Sequence, residues 1–172
     1  SQESLDSYLT ALLAEIKLRE NAVRSRKLIS LYFGGGTTFL LGPERLERVL
    51  SALQSLISLN NAEITLEANP ESVTLSWLKK YQQLGINRMS FGVQSFDKNE
   101  LNFLQRRQSP EDSERAVFSA LEAGISNMSI DLMYELPSQT METWNYSLQK
   151  ACNLPVTHLS LYNFMIEEPS FF

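Results

Sequence analysis

The fold is decided around Leu31-Tyr32-Phe33-Gly34-Gly35-Gly36-Thr37-Thr38, where an apolar run stops at three glycines and two threonines. This pattern predicts a buried strand that ends in a loop whose backbone approaches another group closely. Three consecutive glycines leave N–H and C=O groups open to a ligand, and each costs roughly 0.5–1 kcal/mol of chain entropy. The three glycines are therefore better explained by a ligand-binding loop than by a contribution to stability. The alternative is a strand-to-helix turn that requires positive φ angles.

Composition narrows the class of protein. The chain has 172 residues, of which 43% are hydrophobic and 20% charged, as in globular domains. A net charge of −5 and no basic cluster longer than Arg106-Arg107 argue against nucleic acid as a partner. No apolar run approaches the roughly 20 residues that a membrane helix needs. The single cysteine, Cys152, excludes an internal disulfide and predicts a reducing, cytoplasmic compartment.

Hydrophobic periods of helix and strand alternate along the chain. Helices are predicted at 3–25, 43–57, 74–84, 109–124 and 140–152, with a short one from Asp97, and strands at 28–33, 62–68, 87–94, 128–133 and 158–162. Asp97 and Glu100 form the pattern of a capping box at the start of the short helix. Strict alternation with short connections favours an α/β fold with parallel strands, in a barrel or partial barrel. Because the chain opens on a helix, we expect a first strand upstream.

At least three of the five predicted strands have one apolar and one polar face, whereas strands of parallel sheets are normally apolar on both faces. The polar faces should therefore share an interior that holds Glu67, Gln94, Asp131 and Tyr162. Glu67, Gln94 and Asp131 lie at or near the C-terminal ends of their strands, as the glycines do. Ligands bind at that rim in α/β barrels, so we predict a site there. A water-filled lumen with hydrogen-bonded polar residues is the structural alternative.

Four motifs stand in an order that resembles a known family. They are Tyr32–Thr37, Glu67–Pro70, Gly85–Phe96 and Ile130–Pro137. Together they resemble the radical S-adenosylmethionine family of oxygen-independent coproporphyrinogen III oxidases and HemW-type haem chaperones. The resemblance runs from about residue 6 to the end of the chain. The glycine loop alone is weak evidence, whereas the ordered set is specific.

The resemblance implies a partial (β/α)6 barrel of the TIM-like radical S-adenosylmethionine type, with its first strand outside this chain. It also implies S-adenosylmethionine as a cofactor, bound across the strand ends by eight residues. These are Gly34, Gly35, Gly36, Thr37, Glu67, Gln94, Arg106 and Asp131. The family also carries a [4Fe–4S] cluster on a three-cysteine loop, which nothing in this chain matches. The resemblance therefore implies no metal ligands within residues 1–172.

Each of these positions has a role implied by the resemblance. The glycines match the loop that meets the methionyl amino group. Glu67 and Gln94 match residues that hydrogen-bond the ribose hydroxyls, which suits a carboxylate and an amide. Arg106 matches an arginine that pairs with the methionyl carboxylate. Without the resemblance, a solvated charge would be the simpler interpretation of that arginine.

Two further features follow from the same resemblance. Asp131 matches a cofactor-contacting aspartate, and Met133 and Met165 fall near positions that flank the adenine, where core packing is the alternative. The family usually has proline where this chain has Thr38, and Tyr-Gly-Leu-Pro-Gly-Gln-Thr where this chain has 134–140. These departures affect the expected shape of the loops more than the cofactor site.

The absence of the cysteine loop predicts that residues 1–172 form a fragment of a radical S-adenosylmethionine core domain. The first strand and cluster loop are expected upstream, and a C-terminal domain downstream. The chain alone is therefore expected to lack radical activity. A remnant that binds the cofactor without radical chemistry is the alternative.

Within the family, the amino-acid sequence near Gln94-Ser95-Phe96 and Tyr162–Glu167 favours the HemW-like haem chaperone branch. The alternative is a genuine oxidase that converts coproporphyrinogen III to protoporphyrinogen IX. Haem or porphyrin is the implied small-molecule partner, and haem-accepting proteins, membrane-associated ones included, are candidate partners. His158 is assigned to the core or lumen rather than to haem. A barrel aldolase that uses the glycine loop for phosphate is more distant, because no polar strand face carries a lysine.

Overall fold

The structure is a computed structural model that describes residues 2–24, 26–35 and 38–166. Its strands are β1 (Ser30–Phe33), β2 (Glu63–Ala68), β3 (Arg88–Gln94), β4 (Asn127–Tyr134) and β5 (His158–Asn163). Its helices are α1 (Gln2–Leu18), α2 (Glu20–Val23), α3 (Pro43–Gln54), α4 (Leu75–Gln83), α5 (Lys98–Phe103), α6 (Pro110–Glu122) and α7 (Met141–Asn153). The strands form one parallel sheet in the order β1-β2-β3-β4-β5. The predicted α/β class, as a partial barrel, is confirmed.

The alternation of the strands sorts apolar from polar side chains as predicted. Leu66, Phe91 and Ile130 are fully buried on the face that packs against the helices. Glu67 and Asp131 lie on the opposite face, where they are only half-buried. Apolar burial of this kind contributes roughly 25 cal/mol per Å² of surface removed from water, so packing against the helices stabilises the sheet.

The structure differs from the predicted elements at several places, and the helix predicted over 43–57 ends at Gln54. The helix predicted over 3–25 is divided, since α1 ends at Leu18 and α2 begins at Glu20. The strand predicted from residue 28 begins at Ser30, and the prediction that it is buried is wrong, because its residues are exposed or half-buried. The capping box predicted at Asp97 is only half present. Asp97 Oδ1 accepts from the N–H groups of Asn99 and Glu100, but the Glu100 carboxylate accepts from Ser95 Oγ instead of returning to the helix start.

Tyr162, predicted to lie in the shared interior, is exposed because β5 is at the edge of the described sheet. This residue lies on the polar face, but its side chain is 53% exposed, because β5 has a strand neighbour on one side only in the described part of the chain. His158 opens β5 and is likewise exposed. Cys152 lies on α7 and is exposed. Among the described residues, no helix is long and apolar enough to span a membrane.

The start of α6 gives a first test of the fold. Ser109 Oγ accepts from the N–H of Asp112 at 3.1 Å, and the Asp112 carboxylate accepts from the N–H of Ser109 at 2.8 Å. Ser109→Ala removes one side of this reciprocal cap and should lower the free energy of unfolding by about 1 kcal/mol. Urea titration measures the loss. Ser119→Ala, inside the same helix, is the control, and an equal loss there would contradict the role of the cap.

Candidate functional site

A polar cavity of about 150 Å³ lies where β2, β3 and β4 end. Its lining consists of Gly35, Glu67, Ala68, Asn69, Ser90, Gly92, Gln94, Arg106 and Asp131. Five of the residues singled out from the sequence therefore meet in one place, although they are spread over nearly 100 positions of the chain, from 35 to 131. Gly34 lies beside them. Gly36 and Thr37, also predicted, lie outside the described residues.

Glu67 ties the glycine loop to the sheet. Its Oε1 accepts from Tyr32 Oη at 2.6 Å, and its Oε2 accepts from the N–H of Gly35 at 3.0 Å. The prediction that the loop N–H groups are open to a ligand is therefore wrong at Gly35, because the carboxylate reaches that group first. A carboxylate offers roughly four acceptor positions, so Glu67 keeps the capacity to accept from a ligand hydroxyl as well.

Tyr32 remains a donor to this carboxylate at neutral pH. Burial raises the pKa of the Tyr32 hydroxyl to about 12, and the hydrogen bond to Glu67 acts in the same direction. The close packing also explains the residue type at position 34. A Cβ on Gly34 would lie 2.5 Å from Tyr32 Cε1 and 3.0 Å from Glu67 Oε2. Any larger residue would displace the tyrosine and the carboxylate, so Gly34 is required by close approach.

Gln94 occupies a strained turn at the end of β3. Its φ is +68°, and the N–H of Ser95 donates to the carbonyl of Val93 at 2.9 Å, across Gln94. Tight turns with a positive φ at the central residue are rare and strained, and such strain collects at functional sites. The side chain turns back over Gly92, since a Cβ there would lie 3.1 Å from Gln94 Nε2. The Gln94 amide therefore packs against Gly92, where the absence of a Cβ leaves room for it.

Asp131 adds a second carboxylate to the cavity. Burial raises the pKa of Asp131, and the nearby charge of Glu67 adds to the shift. A hydrogen bond with Ser160 and the charges of Arg88 and His158 act in the opposite direction. The lining thus combines two carboxylates, one guanidinium and one amide, which gives the cavity mixed charge. Such a donor set suits a zwitterionic ligand that also carries hydroxyl groups.

Several lining residues were not singled out from the sequence. Asn69 stands two positions after Glu67, and Ser90 belongs to the polar face of β3, so alternation along each strand could have found both. Of the two methionines, Met133 is half-buried on β4 and Met165 is 70% exposed. Core packing, the alternative for Met165, does not hold. Tyr162 is not among the residues that line the cavity.

Four larger cavities lie elsewhere among the described residues, and two of them border both α1 and α3. One of about 780 Å³ is bordered by α1, α2 and α3, and one of about 480 Å³ by α1, β1 and α3. The first is lined by scattered charges and the second mainly by apolar side chains. Neither collects the groups at the ends of β2, β3 and β4. The strand-end cavity is the candidate, because it is the one of these cavities where several polar groups converge beside a carboxyl group whose pKa is raised.

The half-buried carboxyl group of Asp131 predicts a pH-dependent stability. Because its pKa is raised above the ordinary 3.8, Asp131 binds its proton more tightly in the folded state. Its contribution to stability is therefore complete below pH 3.8 and is lost as the pH rises through the folded-state pKa. Asp131→Asn should raise the melting temperature at pH 7, and the gain should vanish below pH 3.8. Glu47→Gln on α3 is the exposed control. A destabilised Asp131→Asn at pH 7 would contradict this account.

Related proteins were found for nearly the whole chain. Residues 9–151 match the model of the Radical SAM superfamily. The heme chaperone HemW of Haemophilus influenzae is 35% identical over 172 residues, which cover 99% of this chain and 45% of that protein. The oxygen-independent coproporphyrinogen III oxidase of Salmonella typhimurium is 33% identical over 95% of this chain and 36% of its own length. The chain thus spans less than half the length of these curated relatives.

Solved structures share the fold. Coproporphyrinogen III oxidase (HemN) from Escherichia coli, described as a Radical SAM enzyme, superposes with a TM-score of 0.88 at 32% identity. The match covers 96% of this chain and 38% of that one. Methylornithine synthase (PylB) gives a TM-score of 0.69 at 15% identity, over 90% of this chain and 44% of that one, and shows the fold alone. With its parallel sheet, and with the family model matching most of its length, the chain belongs to the radical SAM superfamily.

Proposed function

We propose that the strand-end cavity binds S-adenosylmethionine and that the protein acts in porphyrin or haem metabolism, as a haem chaperone of the HemW type. The observation that carries the proposal is the meeting of Glu67, Gln94, Arg106 and Asp131 around one cavity with Gly35. Proteins of the radical SAM superfamily bind S-adenosylmethionine and a [4Fe–4S] cluster. The mixed charge of the cavity matches the amino, carboxylate and hydroxyl groups of that cofactor.

In this proposal each residue meets one part of the ligand. The Arg106 guanidinium pairs with the methionyl carboxylate, as a planar fork of donors suits two oxygens. Glu67 and Gln94 hydrogen-bond the ribose hydroxyls, and Asp131 provides a further acceptor. The cavity is smaller than the roughly 300–1,000 Å³ of sites that enclose a whole drug-sized ligand. We therefore assign to it the polar part of the cofactor, with the rest lying outside this cavity.

The chain's own residues do not fit an iron–sulfur cluster. It contains one cysteine, Cys152, which is exposed on α7, whereas such clusters are held by several thiolates. In the described ranges, no group of three or more His, Cys, Asp or Glu residues could hold a metal ion. S-Adenosylmethionine is a source of radical chemistry when it is bound with such a cluster. We propose that residues 1–172 are part of a longer core domain, which the 45% share of the HemW relative supports.

The choice between chaperone and oxidase rests on little sequence difference. Identity is 35% to a HemW heme chaperone and 33% to an oxygen-independent coproporphyrinogen III oxidase. The amino-acid sequence at Gln94-Ser95-Phe96 supports the chaperone branch. The oxidase is the second candidate, because the structure superposes on coproporphyrinogen III oxidase with a TM-score of 0.88. On the chaperone proposal, haem is the cargo and haem-accepting proteins are the partners.

Two neighbouring arginines provide a matched test of the cofactor site. Arg106 lines the cavity and is half-buried, whereas Arg107 is exposed. Hydrogen bonds to charged groups contribute about 1.5–3 kcal/mol, so Arg106→Leu should weaken S-adenosylmethionine binding by roughly 10-fold to 100-fold. Arg107→Leu should leave binding unchanged. Equilibrium dialysis with labelled S-adenosylmethionine measures both, and equal effects of the two variants would overturn the assignment of Arg106.

A second experiment separates the two candidate functions. Protein expressed from the complete native gene is purified without oxygen and supplied with haem or with coproporphyrinogen III. We expect stable haem binding, followed by absorbance, and no formation of protoporphyrinogen IX. Turnover of coproporphyrinogen III would contradict the chaperone proposal and establish the oxidase. If the protein neither binds haem nor turns over the porphyrinogen, the assignment to haem metabolism fails.

A further inference from the structure

The pairing of β3 with β4 becomes irregular at the end of β3, just before Gln94. Phe91 pairs with Ile130 and Gln94 with Leu132, so three steps on β3 stand against two on β4. The extra residue forms a β-bulge between Phe91 and Gln94, and bulges re-aim a side chain next to active sites. Together with the positive φ of Gln94, this shows a local conformation that other contacts must hold in place.

Gln108 supplies those contacts. Its side-chain Nε2 donates to the carbonyl of Val93 at 2.6 Å and to the carbonyl of Gly92 at 3.0 Å. The Val93 carbonyl is the same one that accepts from the N–H of Ser95 to close the turn. The Gln108 amide therefore bonds the backbone on which Gln94 is carried. Gln108 also stands two positions after Arg106. One loop therefore places the Arg106 guanidinium at the cavity and, through Gln108, hydrogen-bonds the turn at Gln94.

The burial of Gln108 argues against a simple packing role. The residue is only 4% exposed, and its Oε1 has no hydrogen-bond partner among the described residues. A buried acceptor without a hydrogen-bond partner is unfavourable, so an apolar residue of similar size would pack at lower cost. What an apolar residue could not supply is the pair of N–H donors to Gly92 and Val93.

The other side of the turn is fixed by separate elements. Ser95 Oγ donates to Glu100 Oε2 on α5 at 2.6 Å, and the N–H of Phe96 donates to Ser147 Oγ on α7 at 3.1 Å. These bonds hold the residues that follow Gln94. Gln108 holds the two residues that precede it, and it is the contact that acts on the bulge itself.

We propose that Gln108 is a positioning residue for cofactor binding: it holds the bulge and the strained turn that aim Gln94 at the strand-end cavity. This inference rests on the proposed binding of S-adenosylmethionine there. It adds a residue that touches neither the cavity nor the ligand. Gln108 acts on ligand binding through Gln94, so its effect must depend on the Gln94 side chain.

The test uses the protein from the complete native gene, with S-adenosylmethionine as the probe in equilibrium dialysis. Gln108→Leu removes both donors at similar volume and should raise the dissociation constant by at least about 10-fold. Gln108→His retains a ring N–H and should recover part of the binding, which also covers the case of a poorly folded leucine variant. Gln83→Leu, at an exposed position of α4, should change nothing.

A double variant tests whether Gln108 acts through Gln94. If it does, Gln94→Ala with Gln108→Leu should bind no more weakly than Gln94→Ala alone. Additive losses, or a Gln108→Leu variant that binds like the unchanged protein, would overturn the positioning role. Failure of the unchanged protein to bind S-adenosylmethionine would instead overturn the proposed function, so the two failures can be told apart.

Discussion

The parallel register of β2, β3 and β4 is the constraint on which the candidate site depends. Ala68 pairs with Phe91, and Phe91 with Ile130, so the ends of the three strands reach the same edge of the sheet. A shift of one residue in any strand would exchange its polar and apolar faces. Glu67 and Asp131 would then enter the helical core. The buried apolar layer therefore stabilises the fold and also fixes which side chains meet at the cavity.

Binding groups at this edge come at a cost in stability, as is common at functional sites. Gln94 holds a positive φ, and Asp131 is a carboxylate whose pKa burial raises. Glu67 offsets part of this cost, because it links Tyr32 and the glycine loop to β2 through two hydrogen bonds. Glu67 thus organises the glycine-loop side of the site, and Gln108 organises the side of β3.

Periodicity and the order of motifs were enough to predict the α/β sheet, its two faces and five of the residues that line the cavity. They did not predict the hydrogen-bond partner of a side chain where the folded chain offers more than one. Glu100 was expected to cap α5, but its carboxylate accepts a hydrogen bond from Ser95 Oγ. The N–H of Gly35 was expected to be open, but Glu67 comes from another strand to bond it. Gln108 carries no periodic signal, because its role comes from carbonyls 15 and 16 positions earlier.

The measurement that tests the central claim most directly is a crystal structure of the protein grown with S-adenosylmethionine. We expect its carboxylate within hydrogen-bond distance of the Arg106 guanidinium and its ribose against Glu67 and Gln94. Electron density for the ligand in the cavity of about 780 Å³ beside α1 and α3, with the strand-end cavity empty, would contradict the account. A ligand at the strand ends that avoids Arg106 would contradict the assignment of its polar groups.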